Sequence, residues 1–114
     1  MHEYSLIQAL ISRVEDEARR RGATRVHAIR VRLGALSGVE PDLFTSAWEL
    51  ARAGTGCAEA ALRLERVEAV WSCPRCKKVF APGDVLRCAD CREPAALNDG
   101  ADALTLDQVE LEVP

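Results

Sequence analysis

The sequence predicts an α+β fold, with two helices, three strands and a small metal-binding module inserted before the last strand. Three observations carry this expectation. Apolar residues recur at helical spacing near the N-terminus and again after Pro41. They alternate with a period of two from Arg25 onward. Four of the five cysteines form two C-x-x-C pairs, Cys73-Pro74-Arg75-Cys76 and Cys88-Ala89-Asp90-Cys91.

The first helix is expected over Ser5 to Arg21. Leu6, Ile7, Leu10, Ile11, Val14 and Ala18 fall on one face at three- and four-residue steps. Ser5 followed by Gln8 reads as a capping box, and Gly22 supplies the stop. Capping at Ser5 would leave Met1 to Tyr4 outside the helix as a short extended arm.

From Arg25 to Leu33, Ile29, Val31 and Leu33 occupy one face of a strand and Arg30 and Arg32 the other. His27 has the parity of the apolar face, and is read as a half-buried strand histidine rather than a ligand. Gly34 to Glu40 forms a turn, and Pro41 suits the first position of a second helix. Leu43, Phe44, Ala47, Trp48 and Ala51 make its buried stripe, with Gly54 beyond its end. Phe44 and Trp48 are expected to be core anchors rather than a binding platform. A strand follows over about 62–70, and another over 104–113. The last strand switches parity between Leu104 and Leu106 and Val109, Leu111 and Val113, which predicts a bulge.

The chain has 114 residues, enough for one modest core with a small appended module. Hydrophobic residues make up 48%, which excludes a disordered chain. The first residues lack a basic stretch followed by an apolar one, so no signal peptide is expected. No apolar run approaches the ~20 residues of a membrane span. Paired cysteines in such a chain point to metal ligands in a reducing cytoplasm rather than to disulfides.

Net charge is only −3, yet it is unevenly spread. Arg13, Arg19, Arg20, Arg21, Arg25, Arg30 and Arg32 crowd the first third, and every charge after Arg92 is acidic. Pairing of arginines with carboxylates on neighbouring strands explains this better than a nucleic-acid surface, which needs its cations uncovered.

Two C-x-x-C knuckles separated by eleven residues can place four thiolates at the corners of a tetrahedron, the arrangement zinc prefers. Such an all-thiolate site is closed to water and substrate, so it supports folding rather than catalysis. A rubredoxin-like iron site or a redox dithiol are the alternatives. Arg75, Lys77, Lys78, Arg87 and Arg92 would offset the net −2 of four thiolates around a dication. The segment 71–100 lies between two strands and is therefore an insertion. Cys57, outside the pairs, is read as a structural thiol.

A histidine at position two is ordinarily a surface residue, but its chemistry here is specific. The α-amine of Met1, the amide nitrogen of His2 and its imidazole form fused chelate rings, and the Glu3 amide can complete a plane of four nitrogens. That geometry suits Ni(II) or Cu(II), not zinc.

Met1-His2-Glu3-Tyr4-Ser5, Leu33-Gly34-Ala35-Leu36-Ser37-Gly38-Val39-Glu40-Pro41 and the paired knuckles together resemble the HypA/HybF family of hydrogenase nickel-insertion proteins. The resemblance covers essentially the whole chain in order. It implies a nickel-binding α+β domain over 1–70 and 101–114, with a three-stranded sheet and two helices, and a zinc-binding domain over 71–100. It implies a metallochaperone that is not an enzyme. Ni(II) would be held by Met1, His2 and Glu3, and Zn(II) by Cys73, Cys76, Cys88 and Cys91. The implied partners are a HypB-type GTPase and the large subunit of a [NiFe] hydrogenase, with a homodimer left open and no nucleic acid or membrane. Relatives often carry Cys-Gly or Cys-Gly-Ser after the last knuckle, whereas this chain has Cys91-Arg92-Glu93, so a turn that favours glycine is expected to be mildly strained there or differently shaped.

Two readings from other classes compete: a zinc ribbon that binds nucleic acid or a protein partner, and a thiol oxidoreductase. The chain is mildly acidic, and Trp71 and Phe80 are its few aromatic candidates in the ribbon, which weighs against the first. Two matched pairs argue for one shared metal over a dithiol, which weighs against the second.

Overall fold

A computed structural model describes residues 2–114, and for His2 the backbone alone. Helix α1 (His2–Arg20) buries Ile7, Leu10, Ile11 and Val14 and packs Ala18 against the core, as the periodicity predicts, whereas Leu6 is half-buried and lies outside the core cluster. It ends where predicted. Gly22 takes φ 65°, Ala23 N–H donates to the Ala18 carbonyl at 2.8 Å and Gly22 N–H to that of Arg19 at 3.1 Å, closing a Schellman turn.

The start of α1 differs from expectation. The helix begins at His2, three residues ahead of the expected cap at Ser5, so residues 2–4 form a helical turn and not an extended arm. Tyr4 packs against the core and Glu3 lies in the first turn, where a carboxylate favours the positive end of the helix dipole. Burial and charge thus extend the helix past a local capping signal. Met1 lies outside the described residues.

Strand β1 (Arg25–Gly34) turns Ile29, Val31 and Leu33 inward. His27 is exposed instead of half-buried. A register shift between Val26 and Ala28 breaks the alternation, puts Val26 into the core, and leaves the His27 ring 2.9 Å from a Glu112 carboxylate oxygen.

Helix α2 (Pro41–Ala51) has Pro41 in its first turn, and the Glu40 carboxylate accepts from Leu43 N–H at 2.8 Å as the cap. Phe44, Ala47 and Trp48 are buried. Leu43 is 52% exposed, contrary to expectation. At 3.6 residues per turn it sits about 90° from the centre of the 44–47–48–51 stripe.

Strand β2 (Ala61–Val67) stops short of the expected 62–70, because the chain leaves the sheet after Val67. Two short strands, β3 (Trp71–Ser72) and β4 (Ala96–Leu97), pair with each other, and β5 (Leu104–Glu112) closes the chain. The larger sheet has the order β2-β1-β5. β1 and β2 are parallel, so α2 is their crossover helix, while β5 runs antiparallel to β1. Arg30 faces Gln108 but Val31 faces Leu106, which makes Asp107 the extra residue of the predicted bulge.

Both helices contribute to one core with β1, closed by Cys57 and Ala60, and no polar side chain is buried among the described residues. The other face of the sheet is charged. Arg30 and Arg32 lie between Glu65 on β2 and Asp107 on β5, at 3.6–4.0 Å, and Arg63 reaches Glu110 at 3.3 Å. Arg19 and Arg20, at the end of α1, and Arg21 just past it pair with Asp16 and Glu17. Arg30 and Arg32 are therefore covered by carboxylates on neighbouring strands, as expected, and Arg19, Arg20 and Arg21 by carboxylates of the helix besides.

The molecule is long, 56 × 31 × 16 Å, with a radius of gyration of 17.9 Å, where a compact chain of this length would have about 13 Å. No helix among the described residues is long and apolar enough to cross a membrane.

Candidate metal centre

The two knuckles are built alike. In the first, Lys77 N–H donates to the Cys73 carbonyl at 2.9 Å and Cys73 N–H to that of Lys78 at 2.8 Å. In the second, Arg92 N–H donates to the Cys88 carbonyl at 2.8 Å and Cys88 N–H to that of Glu93 at 2.9 Å. Ser72 bridges Val79 and Arg87 bridges Pro94, again at equivalent positions. Each turn places the residue after its second cysteine in the left-handed region, Lys77 at φ 67° and Arg92 at φ 58°. This is the strain expected at Arg92, where glycine would rest without cost. Lys77 carries the same strain, which the sequence reading missed.

The turns bring Cys73, Cys76, Cys88 and Cys91 together, with all four sulfurs within 4.8 Å of one another. Cys76 Sγ and Cys88 Sγ stand 3.8 Å apart. Four sulfurs each about 2.3 Å from a central zinc would have tetrahedral edges of about 3.8 Å, so the donor set fits such an ion. Cys73 and Cys88 are buried and Cys76 is exposed. Cys91 N–H points at Cys88 Sγ, 3.4 Å away.

The thiols perturb one another's ionisation. Hydrogen bonding from the Cys76 backbone leads the effects that hold Cys73 down to about 7, while burial and then its cysteine neighbours push Cys91 up to about 12. A dication would draw the protons from all four. Arg87 turns its guanidinium onto the Arg92 carbonyl at 2.6 Å, bracing the second knuckle. Arg75, Lys77, Lys78 and Arg92 are exposed on the same segment.

The other predicted residues lie far from this cluster in sequence. Glu3 is half-buried in the first turn of α1, His2 opens that helix, and Met1 is outside the described residues. Cys57 is fully buried in the core, as expected of a structural thiol. The sequence reading also missed Asn98. Its side chain accepts from Val70 N–H at 2.7 Å and donates to the Glu68 carbonyl at 2.9 Å, tying together the two chain segments that flank the knuckles.

Fold and cluster define a two-helix α+β protein carrying a four-thiol metal-binding segment. The HypA family model, described as hydrogenase/urease nickel incorporation and metallochaperone, matches residues 1–111. The hydrogenase maturation factor HypA of Wolinella succinogenes is 35% identical, over 98% of this chain and 96% of its own. That of Nitrosospira multiformis is 37% identical, over 97% of each. The solution structure of the Ni metallochaperone HypA from Helicobacter pylori superposes with a TM-score of 0.70 at 26% identity, covering 98% of both chains. A second HypA solution structure gives 0.76 at 28% identity, covering 100% of this chain and 98% of its own. The chain belongs to the HypA family of nickel-incorporation metallochaperones, which are maturation factors and not enzymes.

Proposed function

We propose that this chain binds Ni(II) through the Met1 amine, His2 and Glu3 and delivers it to the large subunit of a [NiFe] hydrogenase, together with a HypB-type GTPase in the cytoplasm. We further propose that residues 1–70 and 101–114 form the nickel-binding domain, and that residues 71–100 form a module in which Cys73, Cys76, Cys88 and Cys91 hold zinc. That zinc cross-links the two knuckles and takes no part in transfer chemistry.

The observation that carries this reading is the place of His2 and Glu3 at the start of α1, in a chain of this family. Their amides are among the first four N–H groups of the helix, which have no acceptor one turn back, so a metal competes with no backbone hydrogen bond. A helical ψ of about −42° also lies nearer the syn arrangement of nitrogens in a five-membered chelate than an extended ψ of about +135°. Coordination requires these nitrogens to lose protons, so nickel affinity should fall in acid.

Transfer of radiolabelled nickel to the nickel-free large subunit tests the proposal. His2→Ala should reduce transfer to background while zinc content stays at one per chain. Undiminished transfer from that variant would refute the assignment.

A further inference from the structure

The chain passes twice between the larger sheet and the cysteine module, through residues 68–70 on the way out and 98–103 on the way back. Both crossings are fastened to the end of β1. Ala35 N–H donates to the Val67 carbonyl at 2.8 Å, just before the outward crossing. Leu36 N–H donates to the Ala101 carbonyl at 2.8 Å, and Gly34 N–H to that of Ala103 at 2.9 Å, on the return. Ala101 is fully buried against this seat.

Gly34 makes the seat possible by having no side chain. A Cβ there would stand 2.3 Å from the carbonyl oxygens of both Ala101 and Gly100. Its φ is not positive, so glycine is needed for close approach and not for backbone freedom. The colliding atoms are backbone, so room for a methyl group could come only from displacing the returning chain. Farther out, Asn98 closes the two crossings on each other through its side chain and through its N–H to the Val70 carbonyl at 3.0 Å. β3 and β4 make no broad packing contact with the helices or the larger sheet among the described residues. Beyond an apolar hollow that Leu36 lines together with Trp71, Val79, Phe80 and Leu86, this joint is what sets the orientation of the module.

We infer that Gly34 and Asn98 are positioning residues that lock the cysteine module in one orientation on the larger sheet. The lock gives a physical role to the Leu33-Gly34-Ala35-Leu36 segment, which supplies none of the four thiols. It does not depend on which ion the N-terminus carries. A partner docking on this chain would then meet both regions at a fixed angle.

Residual dipolar couplings on the full, zinc-loaded chain test the lock, because they show whether two regions share one alignment. One alignment tensor should fit sheet and module in the unsubstituted chain, and a need for two would overturn the inference. Gly34→Ala should require two tensors and speed amide exchange at Ala35 and Leu36 by roughly ten-fold or more, with one zinc per chain retained. Leu10→Ala, a core change away from the joint, should lower Tm yet keep one tensor, so that orientation is separated from plain loss of stability. Asn98→Ala should also need two tensors while Ala35 and Leu36 stay protected. One tensor with unchanged exchange in Gly34→Ala overturns the lock. If that variant does not fold, one tensor in Asn98→Ala overturns it instead.

Discussion

In the larger sheet region Ile7, Val14, Val31, Phe44 and Trp48 close an apolar core whose one buried, unpartnered side-chain nitrogen among the described residues is Trp48 Nε1, whereas across residues 71–100 only Cys73 and Cys88 are shut off from solvent. The first region has the burial to fold by the hydrophobic effect. The second is a segment shorter than the roughly 40 residues below which a chain usually needs disulfides, metals or partners to fold. Its order rests on what the thiols bind. One chain thus joins a region stabilised by packing to one stabilised by coordination, and either should be able to fail while the other stands.

The largest effect should come from the cysteines. Cys73→Ala or Cys88→Ala should release the zinc, whose apparent binding free energy in such modules is about 10 kcal/mol or more. Residues 71–100 should become protease-sensitive, while amide protection in α1 and β1 persists. Metal retained at one per chain with unchanged protection would break the contrast.

The reciprocal change is smaller. Trp48→Ala should cost the sheet region about 3–5 kcal/mol, read from urea unfolding, and leave the metal content intact. Loss of zinc in step with the core would show that the regions fold as one unit.

A smaller effect should appear in alkali. Burial, then the Glu15 carboxylate, pushes the Cys57 thiol up from 9.0 to about 11. The unfolded chain therefore sheds this proton first, and the sheet region should lose stability as pH rises from about 9 to about 11. The loss should reach about 2–3 kcal/mol, and Cys57→Ala should remove that share of the slope. Equal slopes in the two proteins would contradict the buried, neutral thiol.

What the sequence disclosed is what local chemistry governs. Two C-x-x-C pairs identified the metal cluster because each knuckle is a turn set by its own residues. Pro41, Gly22 and the parity switch near Asp107 likewise marked a helix start, a helix stop and a bulge. The misreadings arose where distant contacts overrule local pattern. Tyr4 draws the helix past its capping signal by packing on the core. A bulge against β5 turns His27 outward although its parity pointed in. Gly34 looks like an ordinary turn glycine until Ala101, far along the chain, is seen against it.

Nickel titration bears most directly on the central claim that this chain carries its cargo at the N-terminus. Untagged, zinc-loaded protein should take up one Ni(II) and develop the d–d band of a square-planar nitrogen site, and the protein acetylated at its α-amine should not. No nickel uptake by the unmodified chain, or an equal band from the acetylated one, would contradict the account.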